Sequence, residues 1–159
     1  MNTLLHELKC RFPYQFDRLP SDVEFFPGWC PALARACERI DAALGADKRS
    51  WHWTQIKEKF GVARLCYRFG WANASPVRLD IASRDVVASL HLASAAADSV
   101  AAQIGEIVSE AERATANQCM VCGRLARLDL YEGWWATLCD RHPPFHGDDG
   151  CWRLSESDD

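Results

Sequence analysis

Four residues near the C-terminal end have the types and spacing of a metal site. Cys119, Cys122, Cys139 and His142 read C-x2-C-x16-C-x2-H. Thiolates and imidazole suit Zn²⁺, and two close pairs on either side of a hairpin converge on one tetrahedral ion. A C-x2-C turn points both sulfurs to one side. Gly123 follows at once, where a tight knuckle needs a permissive backbone. Two strand-like runs, 125–130 and 134–138, flank the turn Tyr131-Glu132-Gly133 and return the second pair beside the first. Four protein ligands leave no open position, so the expectation is one structural Zn²⁺ per chain. His146 and Cys151 are the alternative fourth ligands. Pro143 and Pro144 oppose a helix after His142. The segment therefore reads as a zinc-ribbon-like β-hairpin module.

A second constellation lies between residues 48 and 69. Lys48, Arg49, Lys57, Lys59, Arg64 and Arg68 stand against Glu58, interleaved with Trp51, Trp53, Phe60, Tyr67 and Phe69. Aromatic side chains with Arg and Lys anchor protein interfaces, and they also stack and neutralise single-stranded nucleic acid. Trp51, Trp53, Lys57, Lys59, Arg64 and Arg68 are thus the partner-binding candidates. The plain alternative is a sheet with aromatics in the core and charges in water.

Signatures of catalysis are missing. The chain has no P-loop, dinucleotide-binding glycine pattern, G-x-S-x-G or H-E-x-x-H. The zinc deaminase pattern needs an upstream H-x-E, which neither His6-Glu7-Leu8 nor His52-Trp53-Thr54 supplies. Cys66 and His52 are the residues around which an unrecognised active site would form. The expectation is no catalytic residue and no enzyme.

The elements that must position these residues are legible in outline. Leu4, Leu5, Leu8 and Phe12 recur at helical spacing, then prolines at 13, 20, 27 and 31 break the chain. Pro31 opens a second helix with a stripe of Leu33, Cys37, Ile40 and Leu44, ended by Gly45. Strands are expected up to Ile56, with residues 57–61 as a connection, and again where Leu65, Tyr67 and Phe69 alternate with Arg64, Cys66 and Arg68. Val77, Leu79 and Ile81 suggest a third strand. Residues 85–92 fit either a strand or the start of a helix. Val100, Ile104, Ile107, Val108 and Ala111 form the stripe of a long helix. The fold class is α+β, a small antiparallel sheet packed with helices, divided as 1–116 (α+β domain), 117–147 (zinc-binding module) and 148–159 (acidic tail).

Composition narrows the class. The chain has 159 residues, 48% hydrophobic and 25% charged, which excludes a disordered or collagen-like chain. No apolar run approaches a membrane span, and the N-terminus lacks the pattern of a signal peptide. Eight cysteines without such a signal point to a reduced, cytoplasmic protein. Cys10, Cys30, Cys37 and Cys66 then read as small buried hydrophobes. The net charge of −4 splits unevenly: residues 1–70 carry 11 basic and 8 acidic side chains, residues 71–159 carry 7 and 14. That balance disfavours a protein built to grip nucleic acid.

The segments QIKEKFGVARLCYRF, SEAERATANQCMVCG and WWATLCDRH together resemble a group of small bacterial and phage-borne proteins. The shared pattern is a KEKFG-type connection into an aromatic strand, a helix running into C-x2-C-G, then T-L-C-x2-H. The chain departs from it at Ala63-Arg64-Leu65 and at Pro143-Pro144. The resemblance implies zinc at Cys119, Cys122, Cys139 and His142 and supplies no activity. The expectation is a cytoplasmic, non-catalytic zinc protein that neutralises or modulates a protein partner, such as an immunity protein or phage-encoded inhibitor. The alternatives are a nucleic-acid-binding regulator using residues 48–69, or an enzyme.

Overall fold

Prolines and glycines set the helical layer. In the computed structural model, which describes residues 3–19, 23, 25–48, 51–70, 77–83, 87–92 and 99–154, α1 (Thr3–Arg11) leads directly into α2 (Pro13–Phe16). A 3-10 turn, Pro27–Trp29, opens α3 (Cys30–Leu44), with Pro31 in its first turn where no hydrogen bond is lost. Gly45, at φ 61°, ends it. The face carrying Leu33, Ala36, Cys37, Ile40 and Leu44 is buried, and α4 (Ser99–Thr115) packs on α3 and β2 with Ile104, Ile107, Val108 and Ala111 buried. Among the described residues no helix is long and apolar enough to cross a membrane.

The strands form antiparallel pairs: β1 (His52–Lys59) with β2 (Val62–Arg68), β3 (Val77–Ala82) with β4 (Val87–Leu92), β5 (Arg127–Tyr131) with β6 (Trp134–Leu138), and β7 (Phe145–His146) with β8 (Trp152–Arg153). The ambiguous run at 85–92 is thus a strand from Val87 onward. It pairs with β3 in its own hairpin. β1 runs three residues past Ile56, and the connection shrinks to Phe60-Gly61. Both take positive φ, 54° and 75°, the twist that suits a two-residue hairpin turn. Glu58 Oε1 accepts from the Gly61 N–H at 2.6 Å and holds the turn. A bulge between Trp53 and Gln55 shifts the alternation by one, so Trp53 and Ile56 both face the core.

A two-stranded hairpin is marginal alone. Here helix α4 closes the β2 edge with side chains: Ala63 N–H donates to Thr115 Oγ1 (2.9 Å) and Leu65 N–H to Glu112 Oε1 (2.8 Å). The hydrophobic core then runs without a break from Leu8 to Leu138, through Trp29, Trp51, Trp53, Cys119, Met120 and Val121. The 117–147 segment belongs to that same core.

Within the acidic stretch 148–159, Phe145–His146 pairs with Trp152–Arg153 and Gly147 N–H donates to the Cys151 carbonyl at 2.9 Å, while residues 155–159 lie outside the described residues. One expectation needs correction. Of the four scattered cysteines only Cys30 and Cys37 are buried; Cys66 is half-buried and Cys10 exposed. Cys10 lies on the outer side of α1, and period-two alternation turns Cys66 away from the Leu65 face.

Candidate metal centre

The site is built from a knuckle, a hairpin and the end of helix α4. After α4 the chain folds back on itself: Gln118 bridges Leu125, Cys119 N–H donates to the Arg124 carbonyl (2.8 Å), and Gly123 N–H donates to the Cys119 carbonyl (2.8 Å). Gly123 stands at φ 72°, which a side-chain-bearing residue reaches only with strain. This loop presents Cys119 and Cys122. The β5–β6 hairpin returns the chain beside it, and the turn after β6, closed by His142 N–H to the Cys139 carbonyl (2.9 Å), presents Cys139 and His142.

The four ligand atoms lie within 4.8 Å of one another and could hold a metal ion. Cys122 Sγ is 3.7 Å from Cys139 Sγ. His142 Nδ1 is 3.7 Å from Cys119 Sγ and 3.4 Å from Cys139 Sγ. Cys119 and His142 are buried, whereas Cys122 and Cys139 are half-buried. Burial pushes the Cys119 thiol up against backbone N–H groups that favour its thiolate. At Cys139 burial also pushes upward, but the His142 imidazole, the Arg141 N–H and the neighbouring sulfurs outweigh it, and the thiol falls to about 6. His146 turns away from the cluster, with Nε2 3.1 Å from Glu132 Oε1 and Nδ1 3.2 Å from the Gly150 carbonyl. Cys151 is exposed on the terminal hairpin.

Residues far from the motif seat the knuckle. Gly28 N–H donates to the Met120 carbonyl (2.9 Å), and the Trp29 indole donates to the Gln118 carbonyl (3.0 Å). A Cβ on Gly28 would meet the Cys119 carbonyl at 2.0 Å and the Gly123 nitrogen at 2.5 Å. From the other side, Met120 N–H donates to the Thr137 carbonyl (2.9 Å), and the Thr137 hydroxyl donates to the Gly61 carbonyl (2.7 Å). Gly61 presses on β5 and β6, where a Cβ would meet Leu128 at 2.4 Å and Ala136 Cα at 3.0 Å. Sequence reading missed Gly28, Trp29, Gly61 and Thr137 as supports. Gly28 and Gly61 carried only the signal of turn-forming glycines, and Trp29 and Thr137 carried none that says what approaches them.

The partner-binding set does not hold together as a surface. Trp51 and Trp53 are 0% exposed and Arg64 4%. Trp51 packs edge-on to Trp53 at 4.7 Å and stacks on Tyr67 at 5.5 Å. The physical reason is that ordinary alternation puts both indoles on the core face, where the bulge after Trp53 also keeps Ile56, and that both faces are covered at the start of β2. Lys57 and Lys59 are half-buried, and Arg68 is exposed. His52 is buried opposite Arg68, and Cys66 lies opposite Gln55, on different rungs of the ladder. Compared with family models, with curated proteins and with solved structures, the chain matches none.

Proposed function

We propose that Cys119, Cys122, Cys139 and His142 hold one structural Zn²⁺ in a zinc-ribbon-like hairpin, and that the protein is a non-catalytic, cytoplasmic binding protein. It neutralises or modulates a protein partner, most concretely as an immunity protein or a phage-encoded inhibitor. The spacing of the ligand atoms carries the zinc reading. With Zn–S near 2.3 Å and Zn–N near 2.05 Å, a tetrahedron separates two sulfurs by about 3.8 Å and sulfur from nitrogen by about 3.6 Å. The separations of 3.7, 3.7 and 3.4 Å come close to those values, and all four donor atoms lie within 4.8 Å of one another. Three thiolates and one imidazole favour zinc, and a fourth protein ligand leaves no place for a reacting water.

Several features support a binding role. The rigid metal-tied end presents aromatic side chains to solvent, Trp134 among them at 44% exposure. The second half of the chain is acidic, which suits steering towards a basic target. The nucleic-acid alternative loses its stacking platform with Trp51 and Trp53 inside the core. Metal analysis of purified protein tests the zinc reading: one equivalent of zinc and no cluster iron is expected, and well under half an equivalent overturns it. Affinity purification from the native host tests the partner reading, where a stoichiometric protein partner is expected.

A further inference from the structure

The four donors of the cluster are not equally placed. Cys119 is 0% exposed and His142 is buried, whereas Cys122 and Cys139 are half-buried. The two half-buried thiols are also neighbours, with Sγ to Sγ at 3.7 Å. They come from different segments. Cys122 belongs to the knuckle after α4, and Cys139, 17 residues further on, to the turn after β6. Backbone hydrogen bonds hold both segments: Gly123 N–H to the Cys119 carbonyl (2.8 Å), His142 N–H to the Cys139 carbonyl (2.9 Å), and Met120 N–H to the Thr137 carbonyl (2.9 Å) between them. Two thiols are thus kept side by side where the cluster meets solvent. Cys119 is within reach of both, at no more than 4.8 Å, but lies inside. Cys10 and Cys151 are exposed and stand outside the cluster.

We propose that Cys122 and Cys139 form a redox switch on the metal centre, which a hydroperoxide oxidises to a disulfide with release of the zinc. The proposal rests on the zinc reading. A disulfide brings its sulfurs to about 2.05 Å, so a pair that starts at 3.7 Å has a short way to close. The step balances. One thiolate of the pair attacks the peroxide: an S–O bond forms, the O–O bond breaks, and the departing hydroxide takes a proton from solvent to leave as water. The second thiolate attacks that sulfur: the S–S bond forms, the S–O bond breaks, and a second hydroxide takes a proton and leaves as water. Two electrons pass from the sulfur pair to the peroxide oxygens. Zinc itself has no redox chemistry and takes none of them. Disulfide sulfurs are no longer thiolate ligands. Only Cys119 and His142 then remain, two donors where a structural site uses four. Burial spares Cys119, so reduction of the disulfide restores the whole ligand set.

The test uses the full zinc-loaded chain with Cys10→Ser and Cys151→Ser, which removes the two exposed thiols outside the cluster. Hydrogen peroxide is added, zinc release is followed with a chromogenic chelator, and peptide mass spectrometry maps the cross-links. About one zinc should leave per Cys122–Cys139 bond formed, and dithiothreitol with added zinc should reverse both. Adding Cys122→His leaves two thiolates and two imidazoles, a set that zinc accepts. That variant should hold the metal and lose it to peroxide about tenfold or more slowly. Should it take up no zinc, the cross-link map of the chain with all four native ligands decides alone. A first cross-link that joins Cys119 to either thiol overturns the switch. So does zinc release with Cys122 and Cys139 only as sulfinic acids, or full retention of zinc under excess peroxide. Failure of the zinc reading is seen separately. Well under half an equivalent of zinc in protein purified under reductant sinks that reading, whereas one equivalent of zinc with no Cys122–Cys139 bond after peroxide sinks the switch alone.

Discussion

The β1–β2 and β5–β6 hairpins use the same turn and meet opposite fates. Both close with two residues at positive φ, Phe60-Gly61 at 54° and 75° and Glu132-Gly133 at 51° and 92°. Both carry a pair of tryptophans. Yet Trp51 and Trp53 are sealed in the core, whereas Trp134 stands in solvent. A Cβ on Gly61 would strike Leu128 and Ala136, whereas one on Gly133 would meet nothing within 4 Å. Local turn chemistry is therefore shared, and the difference comes from what lies against each hairpin. Helix α4 and the metal-site hairpin cover the first. Among the described residues the second meets the Gly61 turn and the knuckle, and at its tip Glu132 bonds His146 while Trp134 stays 44% exposed.

The comparison breaks most completely if the proposed zinc is withheld from the Cys119, Cys122, Cys139 and His142 cluster. Structural zinc supplies on the order of 10 kcal/mol of coupled folding energy. Because the knuckle shares one core with the helices, chelation or Cys139→Ser should collapse near-ultraviolet dichroism across the chain. A loss confined to residues 117–147, seen by hydrogen exchange, would count against a single cooperative core. Next comes Gly28→Ala, whose Cβ has only backbone atoms to displace. It should cost roughly 3 kcal/mol or more in urea denaturation and hasten zinc transfer to a chelator.

The tryptophans sharpen the contrast directly. Trp53→Ala should cost about 3–5 kcal/mol as a large-to-small core change, against about 1 kcal/mol or less for Trp134→Ala at the surface. Similar denaturation midpoints for the two would contradict the assigned burial. The glycines repeat the contrast on a smaller scale. Either alanine loses about 1–2 kcal/mol to left-handed backbone strain. Gly61→Ala should add about 1–3 kcal/mol of overpacking against Ala136, which cannot swing aside.

The smallest expected effect is at the terminal hairpin. The Gly150 carbonyl and Glu132 both raise the His146 pKa. A raised value means that the charged latch is fully present below about pH 6.5, the unfolded value, and fades as pH rises through the folded value. Amides of β7 and β8 should thus exchange faster at pH ~8 than at pH ~6 relative to the core. His146→Ala should remove that difference.

How much of this was readable beforehand depends on the range of the interaction. The ligand set was legible because C-x2-C and C-x2-H are local spacings and the turn between them is local too. Pro31, Gly45 and the α4 stripe were legible for the same reason. The end of β1 was misplaced because Lys57-Glu58-Lys59 looks like loop by charge, while the turn is specified by Phe60-Gly61 and the Glu58 carboxylate. Trp51, Trp53 and Arg64 are not exposed for a partner, which was not readable because alternation alone does not say which face of a strand is buried, nor that both faces are covered.

By itself the sequence determined donor types, their spacing, the turn glycines, the ends of α3 and an acidic second half. Each of these is set by covalent reach or backbone conformational preference within a few residues. Tertiary structure alone decided which tryptophans are core and which are surface. It also decided that Gly28 and Gly61 are contact points for the segment carrying the Cys/His cluster, and that the segment shares one core with the helices. Those outcomes depend on which distant backbone arrives within van der Waals distance, and no local preference encodes that.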